Sequence, residues 1–241
     1  MLAHTNRRPA IPLDRLDPVP MLGCVEPFVV SPSAALERLA ASATRVSGLA
    51  GEVLLRAGDR PEAAFVVLRG RVNLLRGGHR GRELILACLG AGDLFGEAGV
   101  MPEGVASTTA VAAGTVELCR LPIADLRRHL EEIPATSVRM LGLLQRRLAD
   151  IEGVASGLAL CDVEQRLRRT LSVLARRQGR RLQEGANWVL APVPTQTELA
   201  RMVGSCRETV SRTLTAMARD GLVSTVGRKM FLAQALVESH A

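Results

Sequence analysis

The sequence contains no uninterrupted run of 18 apolar residues, so nothing in it reads as an ordinary membrane-spanning helix. Its first residues are broken by Arg7, Arg8, Pro9 and Asp14, a pattern that does not support a secretory signal. The expected compartment is therefore the cytoplasm. No CxxC spacing occurs among Cys24, Cys88, Cys119, Cys161 and Cys206, and their number is odd. That favours free buried thiols over a disulfide frame or a zinc site. Only Cys24 lies near the N-terminus, which excludes a tetrathiolate iron–sulfur cluster there. The four histidines, His4, His79, His129 and His240, are scattered, and none is assigned as a metal ligand. Finally, no Lys or Arg stands between Arg82 and Arg120.

What is present is a globular composition, 47% hydrophobic over 241 residues, enough for one large domain or two modest ones. Charge is unevenly placed. Residues 162–241 hold 13 Arg/Lys against 7 Asp/Glu, a net of +6, while residues 1–161 hold 18 against 17. Nearly all of the total +7 sits in the last third, the asymmetry of a domain that meets nucleic acid; a merely solvated basic surface is the alternative.

Residues 1–24, rich in Pro, Arg and Asp, read as a flexible arm. A short amphipathic helix follows near 33–41, with Leu36, Leu39 and Ala40 on one face. From Gly51 to about Pro122, β-like runs punctuated by glycine ("GEVLLRAGD", "AAFVVLRGRVNLLR", "RELILACLGAGDLFG") predict an antiparallel barrel or jelly roll within a domain spanning 25–134. After Pro134 the period becomes helical. Leu141, Leu144, Leu148, Ile151, Ala155 and Leu158 are spaced 3, 4, 3, 4, 3, a seam long enough to pair with its copy in a dimer. The other reading is one buried face of a surface helix in a monomer. The helix is expected over 135–161, with a hinge at about 161, because Asp162 and Gln165 form a capping-box pair that opens a new helix.

The last segment, 162–241, reads as a second domain. Two helices are each expected to open with a capping box, Thr195 with Glu198 and Ser205 with Glu208, with Gly204 between them. That is helix-turn-helix grammar. "LVSTVGRKMFLA" then reads as a β-hairpin turning at Gly227-Arg228. The second helix presents Arg207, Glu208 and Arg212 in its first turns. Guanidinium forks match the O6 and N7 acceptors of guanine, and a carboxylate accepts from the cytosine amino group. The spacing alone leaves solvated arginines and an ordinary cap as alternatives.

"TELARMVGSCRETVSRTLTAMARDGLVS" closely resembles the helix-turn-helix of the CRP/FNR family, bacterial regulators related to the cyclic AMP receptor protein. The glycine-punctuated β region, the long helix and their order resemble that family too, over roughly residues 30–235. The resemblance implies an α+β fold: a cyclic-nucleotide-binding-type β-roll (jelly roll), a long dimerisation helix, and a C-terminal winged helix-turn-helix. It implies that Arg207 and Arg212 donate to guanines and Glu208 accepts from cytosine, reading GTGA-type half-sites. Thr195, Thr197, Ser205 and Cys206 would approach phosphates, and Arg228 and Lys229 would form a wing beside the backbone. Double-stranded DNA and a second copy of the chain are the implied partners. RNA polymerase is a further partner open to such a regulator, with no surface assigned to it.

In that family the segment matching "FGEAGVMPEGVAST" is a phosphate-binding cassette. Gly96, Glu97, Ala98 and Gly99 match its beginning, but the family's Arg-Ser pair falls on Ala106-Ser107. A charge-assisted bond contributes about 1.5 to 3 kcal/mol, so losing the arginine weakens a cyclic phosphate site on the order of tenfold to a hundredfold. The positions where cyclic AMP sensors carry hydroxyls fall at Ile151 and Glu152. The expectation is a regulator not gated by cyclic AMP, with no cofactor assigned and the effector unknown. The alternatives are gating by another cyclic nucleotide, a cyclic dinucleotide using arginines such as Arg80, Arg82 or Arg147, or haem on His79. A cupin-type enzyme is a remote further reading, because the barrel segment holds only His79 where clustered His and Glu ligands are needed, and no catalytic residue is assigned.

Overall fold

The computed structural model describes residues 18–182 and 187–238. Expectations for His4, His240 and the first 17 residues of the arm lie outside the described residues. The chain divides into two compact units, Met1–Arg76 with Ala87–Ala149, and Gly77–Leu86 with Asp150–Ala241.

The first unit opens with helix α1 (Pro18–Gly23), a 3-10 turn at Phe28–Val30 and helix α2 (Ser33–Ala41). Here the arm expected through residue 24 is corrected. Met21 and Leu22 are buried and share a core with Leu36 and Leu39 of α2. Burying each such side chain is worth roughly 1.5 to 3 kcal/mol, enough to fold a short Pro-rich stretch onto the body. Eight strands follow, β5 beginning in the segment Gly77–Leu86 that belongs to the second unit: β1 (Thr44–Gly48), β2 (Val53–Leu55), β3 (Ala63–Arg69), β4 (Val72–Gly77), β5 (Glu83–Leu89), β6 (Leu94–Phe95), β7 (Thr109–Ala112) and β8 (Val116–Pro122). They form two sheets, ordered β1-β8-β3-β6 and β2-β7-β4-β5, the two faces of a β-roll.

Strand β3 shows why the roll closes. Its side chains alternate between faces. Ala64, Val66 and Leu68 join the core beneath the helices, whereas Phe65 and Val67 join Val72, Phe95, Ala110, Val116 and Leu118 between the sheets. Helices α3 (Ile123–Glu132) and α4 (Pro134–Leu160) cover the first of these cores with Leu126, Leu130, Met140 and Leu143. Apolar residues of α4 thus fall on two faces. Met140 and Leu143 point inward, while Leu141, Leu144, Leu148, Ile151 and Leu158 are between 39% and 65% exposed and Ala155 is also exposed. The seam is therefore not buried by its own chain.

The second unit contains α5 (Val163–Gln178), α6 (Gln196–Val203), α7 (Arg207–Arg219) and α8 (Gln234–Glu238). Its sheet runs β11 (Val223–Val226), β12 (Lys229–Leu232), β10 (Trp188–Leu190), β9 (Arg180–Arg181). The break between α4 and α5 falls at Cys161-Asp162, and Asp162 closes its capping box with Gln165 in both directions. The compact unit nevertheless begins at residue 150 rather than 162. Arg177 pairs with Asp150, and Arg169 donates to the Gly153 carbonyl, which ties the last turns of α4 to α5.

Of the five free cysteines only Cys119 is buried, and burial pushes its thiol up to about 11, which keeps it inert. The expectation of buried thiols fails at Cys206, which is exposed because it stands at the head of α7.

Candidate nucleic-acid interface and effector pocket

Helix α6 starts at the capping box that the sequence predicts. Thr195 Oγ1 accepts from the Glu198 N–H at 3.1 Å, and the Glu198 carboxylate accepts from the Thr195 N–H at 2.8 Å. It ends at Gly204, which takes the left-handed conformation (φ 61°, ψ 46°), so the Ser205 N–H reaches back to the Ala200 carbonyl at 3.0 Å. A non-glycine residue is disfavoured there by its backbone alone. Leu199, Val203, Val210 and Met217 are fully or almost fully buried and join the two helices.

The second expected capping box is absent. Cys206, not Ser205, is the N-cap of α7, and no side chain caps the helix. The glycine turn uses Ser205 to finish α6, so the helix starts one residue later and Glu208 falls in its second position. Its carboxylate is fully exposed. It is held below the usual carboxylate range first by its own backbone N–H, then by the Cys206 side chain, with Arg207 and Arg212 contributing and a small desolvation opposing. Glu208 is thus an ionised acceptor at neutral pH.

Arg207 and Arg212 are exposed, and the nearest polar contact of Arg212 is the Thr209 hydroxyl at 3.4 Å. Thr195, Thr197, Cys206, Arg228 and Lys229 are exposed as well, and Ser205 is half-buried. The hairpin turns at Gly227-Arg228 as read from the sequence, with Val226 opposite Lys229. A connection that sequence reasoning missed is Arg166, which donates to the Val203 carbonyl at 2.7 Å and the Cys161 carbonyl at 2.6 Å. It fixes the end of α6 to the start of α5. Equally invisible was the ion pair of Arg201 with Glu83, because residues 118 positions apart carry no local signal of it.

In the first unit, Gly96 has φ 84°, and a Cβ there would lie 2.7 Å from the Ala63 carbonyl oxygen. Only glycine turns this corner. The chain then makes one 3-10 turn over Glu97–Val100, whose last carbonyls accept from Arg127, Nε to Val100 at 2.8 Å and the guanidinium to Gly99 at 3.1 Å. A cavity of about 60 Å³ lies beside it, lined by Leu55, Leu74, Phe95, Gly96, Glu97, Ala98, Ala106, Ser107, Thr108, Ala110 and Arg147. One water needs about 10–15 Å³, so this is room for a few.

The structure brings together Gly96, Glu97, Ala98, Ala106 and Ser107 of the cassette named from the sequence, leaves Gly99 off the cavity wall, and adds Arg147 of α4. Arg147 pairs with the Glu97 carboxylate at 2.5 Å, both side chains being 17% exposed, and also donates to the Leu94 carbonyl. The Glu97 carboxylate is thus paired with a cation of the chain itself. Ala106 is buried and supplies no cation, while Arg76 donates to the Ser107 carbonyl from outside at 2.5 Å. Among the described residues no group of three His, Cys, Asp or Glu side chains forms a metal site, and His79 lies exposed in the turn His79–Gly81.

A β-roll carrying a cyclic-nucleotide cassette, a long helix, and a winged helix-turn-helix define a DNA-binding transcription regulator. Residues 45–132 match the cyclic nucleotide-binding domain, and residues 165–235 match the Crp-like helix-turn-helix domain. The chain is 36% identical over 179 residues to the cyclic AMP receptor protein of Thermus thermophilus, covering 72% of this chain and 76% of that protein. It is 29% identical over 182 residues to a CRP-like cAMP-activated global transcriptional regulator of Mycobacterium tuberculosis, covering 76% and 80%. Among solved structures it resembles the c-di-GMP responsive global regulator CLP of Xanthomonas campestris, with a TM-score of 0.67, 27% identity, and 84% and 99% of the two chains covered. FixK2 of Bradyrhizobium japonicum shares the fold, with a TM-score of 0.72 at 20% identity over 82% and 96%. The chain belongs to the CRP/FNR family of transcription regulators, which sets aside the enzyme reading. No helix among the described residues is long and apolar enough to cross a membrane.

Proposed function

We propose that this regulator binds DNA as a homodimer, reads an inverted repeat of GTGA-type half-sites, and does so without cyclic AMP. The observation that carries sequence reading is the cluster of Arg207, Glu208 and Arg212 at the exposed N-terminal end of α7, where none is engaged by a charged partner from the rest of the described residues. A helix entering the major groove end-on presents such groups to base edges, and the wing residues Arg228 and Lys229 approach the adjacent backbone. Thr195, Thr197, Ser205 and Cys206 serve the phosphates. The exposed seam of α4 supplies the dimer contact, and two-fold symmetry then places two recognition helices about 34 Å apart on the duplex.

Independence from cyclic AMP is supported by Ala106 and by Arg147. The cation expected against a cyclic phosphate is missing, and the glutamate that would accept from a ribose already holds an arginine of the chain itself. Gating by a cyclic dinucleotide is the second reading. It is favoured by the likeness to the c-di-GMP responsive regulator and by the presence of Arg147 in the cavity.

Footprinting on an inverted GTGA repeat, with no ligand, cyclic AMP, cyclic GMP or c-di-GMP, tests these readings. Unaided protection that cyclic AMP does not change is expected. The Arg207→Ala protein should lose about 1–3 kcal/mol of binding and its preference at one base pair. Binding that requires cyclic AMP overturns the ungated reading, a response to c-di-GMP replaces it with the second, and an Arg207→Ala protein of unchanged preference overturns the recognition assignment.

A further inference from the structure

The cations of the second unit fall into two sets. Arg168, Arg169, Arg177 and Arg201 end on carboxylates or carbonyls of the protein. The exposed cations with no such partner among the described residues include Arg180, Arg181, Arg207, Arg228 and Lys229. Arg207 and the wing pair are accounted for by the reading above, whereas Arg180 and Arg181 of β9 are not.

Arg180 lies on β9, the edge strand on the side of the sheet opposite to β11. The register places Arg180 opposite Val189, Val189 opposite Phe231, and Phe231 opposite Ser224. Residues directly opposite one another in an antiparallel sheet project from the same face, as do residues two apart on one strand. Arg180, Phe231 and Lys229 therefore share a face. The opposite face carries Arg181, Trp188, Leu232 and Val223, and its Leu232 and Val223 are buried in the core. On the Arg180 face Val189 is buried and Phe231 half-buried, but Arg180, Ser224 and Lys229 are exposed, so the two cations project from the outer side. Two strand spacings and two residues separate them, about 12 Å between Cα atoms. No residue of the four strands is acidic.

An outer sheet face with two exposed cations about 12 Å apart and no carboxylate has the charge to follow a polyanion. Each DNA strand carries one phosphate per about 3.4 Å of helix axis, so this distance spans about three or four phosphates. We propose that Arg180 is a backbone-contact residue that continues the wing's track onto DNA flanking the half-site. The proposal rests on the reading of α7 and the wing given above. Two other roles predict different behaviour. A charged edge strand also guards against edge-to-edge pairing of chains, and a basic edge also suits an acidic protein surface.

The test compares the full-length protein with Arg180→Gln and Arg181→Gln on the inverted GTGA repeat between 50 and 200 mM KCl, with long flanks and with flanks trimmed to the half-site edges. Arg181→Gln removes the same charge from the same strand but from the opposite face. Since Arg180→Gln leaves one phosphate per half-site without its cation, the plot of log K against log salt should be about 1.8 shallower for this variant on the long duplex. The unaltered protein then loses about 12-fold more affinity than the variant across that fourfold salt range. Arg181→Gln should follow the unaltered protein, half-site discrimination should be unchanged, and the two proteins should agree on the trimmed duplex. An unchanged slope for Arg180→Gln overturns the proposal, whether the variant aggregates (edge protection) or loses transcriptional output alone (a protein partner). An equal effect of Arg181→Gln overturns the face assignment. If the unaltered protein does not bind the repeat, the reading of α7 falls and this one falls with it.

Discussion

His129 shows how a single residue ties the front of the first unit together. It is only 5% exposed, its Nε2 lies 2.8 Å from the Ser31 hydroxyl, and that hydroxyl lies 3.0 Å from the buried Thr136 hydroxyl at the start of α4. Phe28 meets the imidazole edge-on at 5.6 Å. Burial lowers the pKa of His129, with Glu132 and the Ala35 backbone opposing and Arg38 assisting. The folded protein therefore takes up this proton less readily than the unfolded chain. Stability from the neutral imidazole is complete above the unfolded value of about 6.5 and is lost as pH falls below it. Urea unfolding at pH 7.5 and 5.5 should show a smaller acid loss in His129→Gln than in the unaltered protein; equal losses would remove His129 from the account. Sequence reading left His129 among four scattered histidines with no role, because its partners, Ser31 and Thr136, come from outside its own helix.

At the scale of elements, local rules held at two of the three capping boxes read from the sequence. The Thr195–Glu198 and Asp162–Gln165 boxes form because both donors and acceptors lie within one turn. The Ser205–Glu208 box satisfies the same pattern and does not form, because the Gly204 turn commits the Ser205 N–H to Ala200. Thr195→Ala should cost about 1 kcal/mol of stability, and Thr195→Ser should restore most of it. Trp188, the single tryptophan, lies in the same unit and reports the unfolding by fluorescence. Equal midpoints for the two variants would mean that the cap contributes nothing. In the cassette, the glycine corner was legible from sequence, whereas the neutralisation of Glu97 was not, since Arg147 arrives 50 positions later on another element.

For the whole molecule, the decisive surface is the apolar stripe of α4. Leu148 is 56% exposed and Leu144 39%, in a helix whose Met140 and Leu143 are already buried in the chain. Leu144→Glu/Leu148→Glu should sediment as a monomer and lose about 100-fold or more in affinity for the full inverted repeat, because the second half-site is no longer bound intramolecularly. The effect on a single half-site should be small. A variant that stays dimeric would place the contact elsewhere.

The sequence by itself determined the order of parts, the strands of the roll, the length of α4, the two helices of the reading head and the turn of the wing. These follow from periodicity, caps and glycine positions, all of which act over a few residues. The family resemblance followed from the same contiguous stretch around Arg207. Tertiary structure decided which charges are satisfied. Arg147 finds Glu97, Arg166 finds Val203, Arg201 finds Glu83, and Arg180 finds no anion among the described residues. Electrostatic pairing depends on distance in space, and no local pattern in a chain encodes a distance between residues about 50 or 100 positions apart.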